Sequence, residues 1–193
     1  MSKVIFDISM SLDGFITAPN MTAEEPMGDG GERLHEWAFG ADERSSELLA
    51  EASKDLGAVI CGRNTYDHSL PWWGADGPTG PARIAVFVVT HSEPEDQLEN
   101  GVYRFMTGGI EAALEQAKEH ADGKTVTVMG GADLGRQYIR AGLVDQVSIH
   151  LVPVLFGGGI RMFDELGGEH VQLEAIDLVP TPSATHLRFR VMK

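Results

Sequence analysis

Met129 is followed by Gly130 and Gly131, and these by Ala132-Asp133-Leu134-Gly135, so a β-branched run ending in two residues without a Cβ feeds straight into a helix start. Such a backbone takes dihedrals closed to other residues and lets an anion approach the free N–H groups of the first helical turn. A tight corner between strand and helix demands the same glycines, so the doublet by itself reads either way. Two further segments add phosphate chemistry. Gly62-Arg63-Asn64-Thr65 offers a guanidinium fork, a hydroxyl and a second candidate helix start, and Thr90-His91-Ser92 adds two hydroxyls. Small donors converging with one arginine suit a phosphorylated dinucleotide, although the commoner fate of a single arginine is a solvated surface charge. Asp13, ahead of Gly14, is the candidate proton donor, and an Asx-type turn is the competing reading of that pair.

Other chemistries lack their residues. A loose Gly-x-Ala-x-x-Gly match at Gly130 to Gly135 lies far from the N-terminus, and the next strand runs into glycines rather than ending in an acid for a ribose hydroxyl. No Gly-x-Ser-x-Gly elbow occurs, and His35-Glu36 lacks the second histidine of a zinc helix. The single cysteine, Cys61, excludes an internal disulfide and cysteine-rich zinc sites. Fifteen Lys and Arg against 29 Asp and Glu leave a net charge of −14, which repels nucleic acid and anionic membranes, so neither is expected as a partner. An anionic ligand must therefore be met by a few placed groups. The chain starts without a signal-peptide pattern and holds no apolar run long enough for a bilayer, so a cytoplasmic protein is expected.

The elements that must position these residues read as alternating strands and helices. A chain of 193 residues, 42% hydrophobic, suffices for one buried core, so a single domain over 1–193 is expected. Val4 to Met10 is an apolar run broken by Asp7, and it delivers Asp13 to a strand–loop junction. Pro19 to Gly31 lacks any period and reads as a covering loop. His35, Trp37 and Phe39 then either close that loop onto the core or touch a ligand. Asp42 can cap a helix over roughly 43 to 55, and Ala58 to Cys61 is a strand buried on both faces by its composition. Ser69 to Pro81 reads as irregular, Ile84 to Val89 as a strand, and Val102 to Phe105 as a brief one. Thr107 can cap an amphipathic helix closed by Asp122-Gly123. The strand before Gly130 and its helix to about Arg140 follow. Val147 to Phe156 reads as a long strand containing Pro153, and Val171 to Val191 as a closing antiparallel pair. Alternation of this kind implies a mostly parallel central sheet with helices on both faces and antiparallel strands at the C-terminal end. Ligands of such sheets sit beyond the carboxyl ends of the strands, where the residues named first all fall.

Cys61-Gly62-Arg63-Asn64-Thr65-Tyr66, then Thr90-His91-Ser92, then Val128-Met129-Gly130-Gly131, in that order and spacing, resemble the dihydrofolate-reductase-like superfamily across nearly the whole chain. Ser11-Leu12-Asp13-Gly14 and Pro153-Val154-Leu155-Phe156-Gly157-Gly158 resemble more narrowly the reductase domain of the riboflavin-biosynthesis deaminase-reductase. The resemblance implies NADPH as cofactor, with Gly62, Arg63 and Thr65 near its phosphates and Thr90 and His91 on the 2′-phosphate side. Met129, Gly130, Gly131, Ala132 and Leu134 would run along the pyrophosphate and nicotinamide, and Asp13, Trp37 and Phe156 would face the substrate. It also implies a homodimer. No acid of the segment 30 to 40 aligns with the pterin-binding carboxylate of the folate enzymes, Glu32 and Glu36 being the candidates, and one cysteine cannot supply the ligands of a zinc deaminase half. The expected activity is NADPH-dependent reduction of a C=N or C=O group in a small heterocyclic or sugar-linked substrate. Folate reduction and a non-catalytic nucleotide sensor are the rivals.

Overall fold

In a computed structural model that describes every residue except Met1, Ala41, Glu165 and Glu169, eight strands form one sheet in the order β4-β3-β2-β5-β1-β6-β8-β7. The strands are β1 (Val4–Ser11), β2 (Leu56–Gly62), β3 (Val86–Val89), β4 (Tyr103–Met106), β5 (Thr125–Met129), β6 (Gln146–Val152), β7 (Leu173–Pro180) and β8 (Thr185–Val191). The first six in the sheet order are parallel, and β8 and β7 add antiparallel pairs at one edge.

The pleat explains why apolar runs of this chain are continuous. In β2, Ala58 and Ile60 point into one core cluster and Val59 and Cys61 into another, all essentially without solvent exposure. The first cluster packs Phe6, Val126 and Val128 against Leu114 and Ala117 of α4 (Gly109–Ala121) and Tyr138 of α5 (Ala132–Arg140). The opposite face packs Val86 and Val88 against Tyr66 of α3 (Arg63–Trp73), and further along holds Trp37 of the short α1 (Glu36–Phe39) and half-buried Leu49 of α2 (Glu43–Lys54). Each fully buried Phe or Val side chain stabilises the fold by about 1.5–3 kcal/mol relative to exposure.

Three boundaries differ from the sequence reading. α3 continues through Pro71 to Trp73, where an irregular stretch was expected from Ser69. Proline forfeits a bond to the carbonyl four residues back, but in the last turn this loss is small, and Gly74 at φ 51° then ends the helix. β6 stops at Val152 rather than running to Phe156, because Pro153 has no N–H for the ladder. Val154 instead accepts from the Leu12 N–H, and the segment folds back over the end of β1. Gly108, not Thr107, stands at the start of α4, with no side-chain cap.

Candidate active site

β2 and β5 are neighbours in the sheet, so the helices that follow them start side by side at its carboxyl edge. Gly62 precedes α3 and Gly131 precedes α5, both with extended backbone and no side-chain cap, which leaves first-turn N–H groups and the positive ends of two helix dipoles facing the same space. Gly130 has φ 98°, and a Cβ built on it would sit 2.3 Å from Thr65 Oγ1. That same hydroxyl accepts the Gly131 N–H at 3.1 Å, so Thr65 ties one helix start to the other. Buried Leu134 reaches toward Gly62 from α5, where a Cβ on the glycine would meet it at 3.9 Å. Ala132 is buried and Met129 half-buried beside them. The sequence doublet thus lies in a donor cradle in which a side chain at position 130 has no room.

Arg63 and Thr90 also come together, across the ends of β2 and β3. Arg63 Nη1 donates to the Ser92 carbonyl at 3.1 Å and to Thr90 Oγ1 at 3.5 Å. Its Nε is already bound to the Asp67 carboxylate at 2.8 and 2.9 Å, so the fork is braced by an acid rather than free. His91 stands exposed on the same turn.

Asp13 has a different occupation from the proton donor expected of it. Its carboxylate accepts from Ser11 Oγ at 2.6 Å, from the Gly157 N–H at 2.7 Å and from the Phe156 N–H at 3.2 Å. The Ser11 hydroxyl foremost, with the two backbone donors, outweighs desolvation and holds its carboxyl down at about 2. Ionised so far below neutrality, the carboxylate acts here as an acceptor. Asp13 fastens the returning Pro153–Gly157 turn to the end of β1. Phe156 shares a small apolar cluster with Trp37, and of the three expected substrate neighbours only Trp37 lines the cavity described next.

That cavity, about 230 Å³, opens between α2 and the sheet face and runs to Met129 at the edge of the glycine cradle. On the sheet face its polar lining includes Asp7, Thr127, Ser148, His150, His186 and Arg188. Register explains the grouping: Asp7 lies opposite Ser148, Ser9 opposite His150, and His150 opposite His186, so alternate residues of β1, β6 and β8 present polar atoms on one face. His150 Nε2 stands 3.3 Å from both Asp7 oxygens, and His150 Nδ1 stands 2.7 Å from His186 Nδ1. Trp37 holds this pair in place. Its indole N–H donates to Ser9 Oγ at 3.0 Å, and its ring lies 3.9 Å from the His150 ring centroid and edge-on to His186 at 4.9 Å. Enclosure pushes the Asp7 carboxyl up, but the charge and hydrogen bond of His150, aided by Ser148 and Arg188, bring it below its ordinary value. Burial first, then the neighbouring His150, pushes His186 down to about 4.

Asp7, His150 and His186, which line the cavity, were not singled out for chemistry in the sequence. The signal was present in part, since an acid interrupts the apolar run of β1 and Ser148 and His150 alternate with Val147 and Ile149 in β6. What pairs them is the register, which no local pattern prints.

Solved structures share this fold. The putative riboflavin biosynthesis protein from Shewanella sp. PV-4 matches with a TM-score of 0.73 at 21% identity, covering 100% of both chains. Dihydrofolate reductase from Enterococcus faecalis, complexed with NADP(H), matches with a TM-score of 0.63 at 16% identity, covering 99% of this chain and 97% of its own. At these identities the likeness is one of fold, and it defines an α/β protein of the dihydrofolate-reductase-like class. Residues 2–187 match the RibD C-terminal domain, and the chain belongs to that reductase-like family. Uncharacterized protein YwjB from Bacillus subtilis (strain 168) is 28% identical over 167 residues, 86% of this chain and 86% of that one.

Proposed function

We propose that the protein is an NADPH-dependent reductase that delivers hydride to a C=N or C=O group of a small heterocyclic or sugar-linked substrate, in the manner of riboflavin-pathway reductases. The observation that carries this reading is the pair of uncapped helix starts that Thr65 packs together at Gly130, beside a polar cavity. The donor set fits the cofactor: free N–H groups for a pyrophosphate, and Arg63 with Thr90 and His91 for a further phosphate at the adenosine end. NADPH, when bound, supplies the hydride. The chain's part is to hold the reacting groups at Met129, to exclude water with Trp37 and α2, and to offer a proton from the Asp7–His150 pair, in place of Asp13. Membership of a reductase-like family and the NADP(H) bound by the Enterococcus faecalis enzyme support the same cofactor.

Calorimetric titration tests the reading. NADPH should bind with micromolar affinity and NADH more weakly, and a panel of cyclic imines, pterins and ribosylamino-pyrimidines should include a substrate that oxidises it. Gly130→Ala should abolish binding, since the new methyl would collide with Thr65 Oγ1 and strain a φ of 98°. NADPH binding that survives Gly130→Ala unchanged would remove the cradle from the argument.

A further inference from the structure

Asp42, Ser45, His186, His150 and Asp7 form one continuous line of polar atoms from the protein surface to the cavity. At the outer end, Asp42 caps α2 and Ser45 Oγ donates to its carboxylate. Ser45, fully buried, stands 3.2 Å from His186 Nε2. His186 Nδ1 then meets His150 Nδ1 at 2.7 Å, and His150 Nε2 meets Asp7 at 3.3 Å.

Proton counting decides what this line can hold. Its four contacts in series each need one hydrogen. With both carboxylates ionised and both imidazoles neutral the five side chains carry only three, two on the rings and one on Ser45. One contact would then set two lone pairs face to face. A single added proton completes the line in one consistent direction. His150, as imidazolium, donates from Nε2 to Asp7 and from Nδ1 to His186; His186 donates from Nε2 to Ser45, and Ser45 to Asp42. The buried site is flanked by a carboxylate at each end, so the positive charge is balanced where it stands.

We propose that this line is a proton path: it stores one proton at His150 and reloads it from solvent through Asp42 while substrate and cofactor close the cavity. The inference rests on the reductase reading for its use, though not for its existence. Hydride from the nicotinamide forms the new C–H bond, and the π electron pair of the C=N or C=O group moves to the heteroatom. The heteroatom takes the Nε2 proton of His150 directly or through Asp7, which leaves His150 neutral. The relay runs from the same four hydrogens shifted by one hop, in which His150 keeps only its Nε2 hydrogen, His186 carries Nδ1–H, Ser45 donates to His186 Nε2 and Asp42 holds the added proton. As the heteroatom takes the Nε2 proton, the Nδ1 hydrogen of His186 passes to His150 Nδ1, that of Ser45 to His186 Nε2 and that of Asp42 to Ser45. Water replaces the proton at Asp42, and the two rings regain their first tautomers before the next cycle. The depressed affinity of His186 for a proton suits a carrier that does not keep the charge. The other charged groups facing the line are His35 ahead of α1, Arg44 of α2, Arg188 of β8 and Asp177 of β7.

Two measurements test it. In the ligand-free protein, imidazole nitrogen shifts followed by NMR from about pH 8 to about pH 5 should show one proton taken up by the His150–His186 pair, residing on His150. Two separate protonations, one per ring, both complete within that range, overturn the path. In turnover, Ser45→Ala and His186→Gln should each slow reduction by about tenfold or more, with rate returning on addition of imidazolium buffer, a rescue that a misfolded variant does not give. Unchanged turnover in both variants, or a loss that buffer does not repair, overturns it as well. If the unmodified protein reduces nothing with NADPH, the reductase reading fails alone, and the NMR count still decides whether the line holds its single proton.

Discussion

Arg63 shows how a single side chain can be assigned a task and a competitor at once. A charge-assisted contact to a phosphate is worth about 1.5–3 kcal/mol, so Arg63→Ala should weaken NADPH by about tenfold to a hundredfold and leave NADH nearly unchanged. The brace from Asp67 opposes that contact, because the same Nε must be shared with an acid at 2.8 Å. Asp67→Asn should therefore tighten NADPH more than NADH, as read by titration of both cofactors; equal weakening by Arg63→Ala would return Arg63 to a structural role. Asp13 behaves as a clamp, and its pH dependence follows from its sign. The folded carboxyl sits at about 2 against an ordinary 3.8, so its contribution is complete above about pH 4 and is lost as pH falls toward 2. Asp13→Asn should lower the melting temperature at pH 6 and match the unmodified protein near pH 2, with NADPH affinity barely changed.

At the scale of elements, the placement of α5 on the sheet decides the shape of the cradle. Gly135 lies inside this helix, where glycine costs about 1 kcal/mol relative to alanine. It is retained by packing: a Cβ there would come within 2.5 Å of the Phe6 ring of β1, which is fully buried. Gly135→Ala should consequently destabilise the fold by about 1–3 kcal/mol in spite of its better helix propensity. Adding Phe6→Leu should recover part of the loss, and a denaturant-unfolding double-mutant cycle measures that coupling. Strictly additive effects would mean that α5 shifts rather than pressing on β1. The short β6 works in the same sense, since ending at Pro153 is what lets the following turn reach Asp13.

For the molecule as a whole, β7 is one edge of the sheet, and Leu173, Ile176 and Leu178 on it are 45%, 41% and 64% exposed. An unpaired edge carrying apolar side chains is an unusual surface for a chain with a net charge of −14. The homodimer implied by resemblance is accordingly proposed at this edge, among the C-terminal strands that follow Pro153. Sedimentation at micromolar concentration should give a dimer, and Leu178→Glu a monomer of unchanged fold; a monomeric unmodified protein removes the proposal. Among the described residues no helix is long and apolar enough to cross a membrane.

Local chemistry was legible in the residues themselves. Gly130 and Gly131 between a valine-rich run and a helix, Asp42 ahead of α2, and the doubly apolar β2 follow from dihedral freedom, capping and side-chain periodicity, which act over a few neighbours. Motif order across the chain was enough to resemble the right superfamily. The polar face of the cavity was not legible, because Asp7, His150 and His186 are separated by 143 and 36 positions and meet only through strand register. The clamp made by Asp13 was hidden for a related reason. Its neighbour Gly14 suggested a turn or an acid, whereas the N–H groups that hold it ionised belong to Phe156 and Gly157, brought across by the end of β6. Sequence fixes what each residue can donate or accept over short range; which partner it finds is decided when the sheet closes.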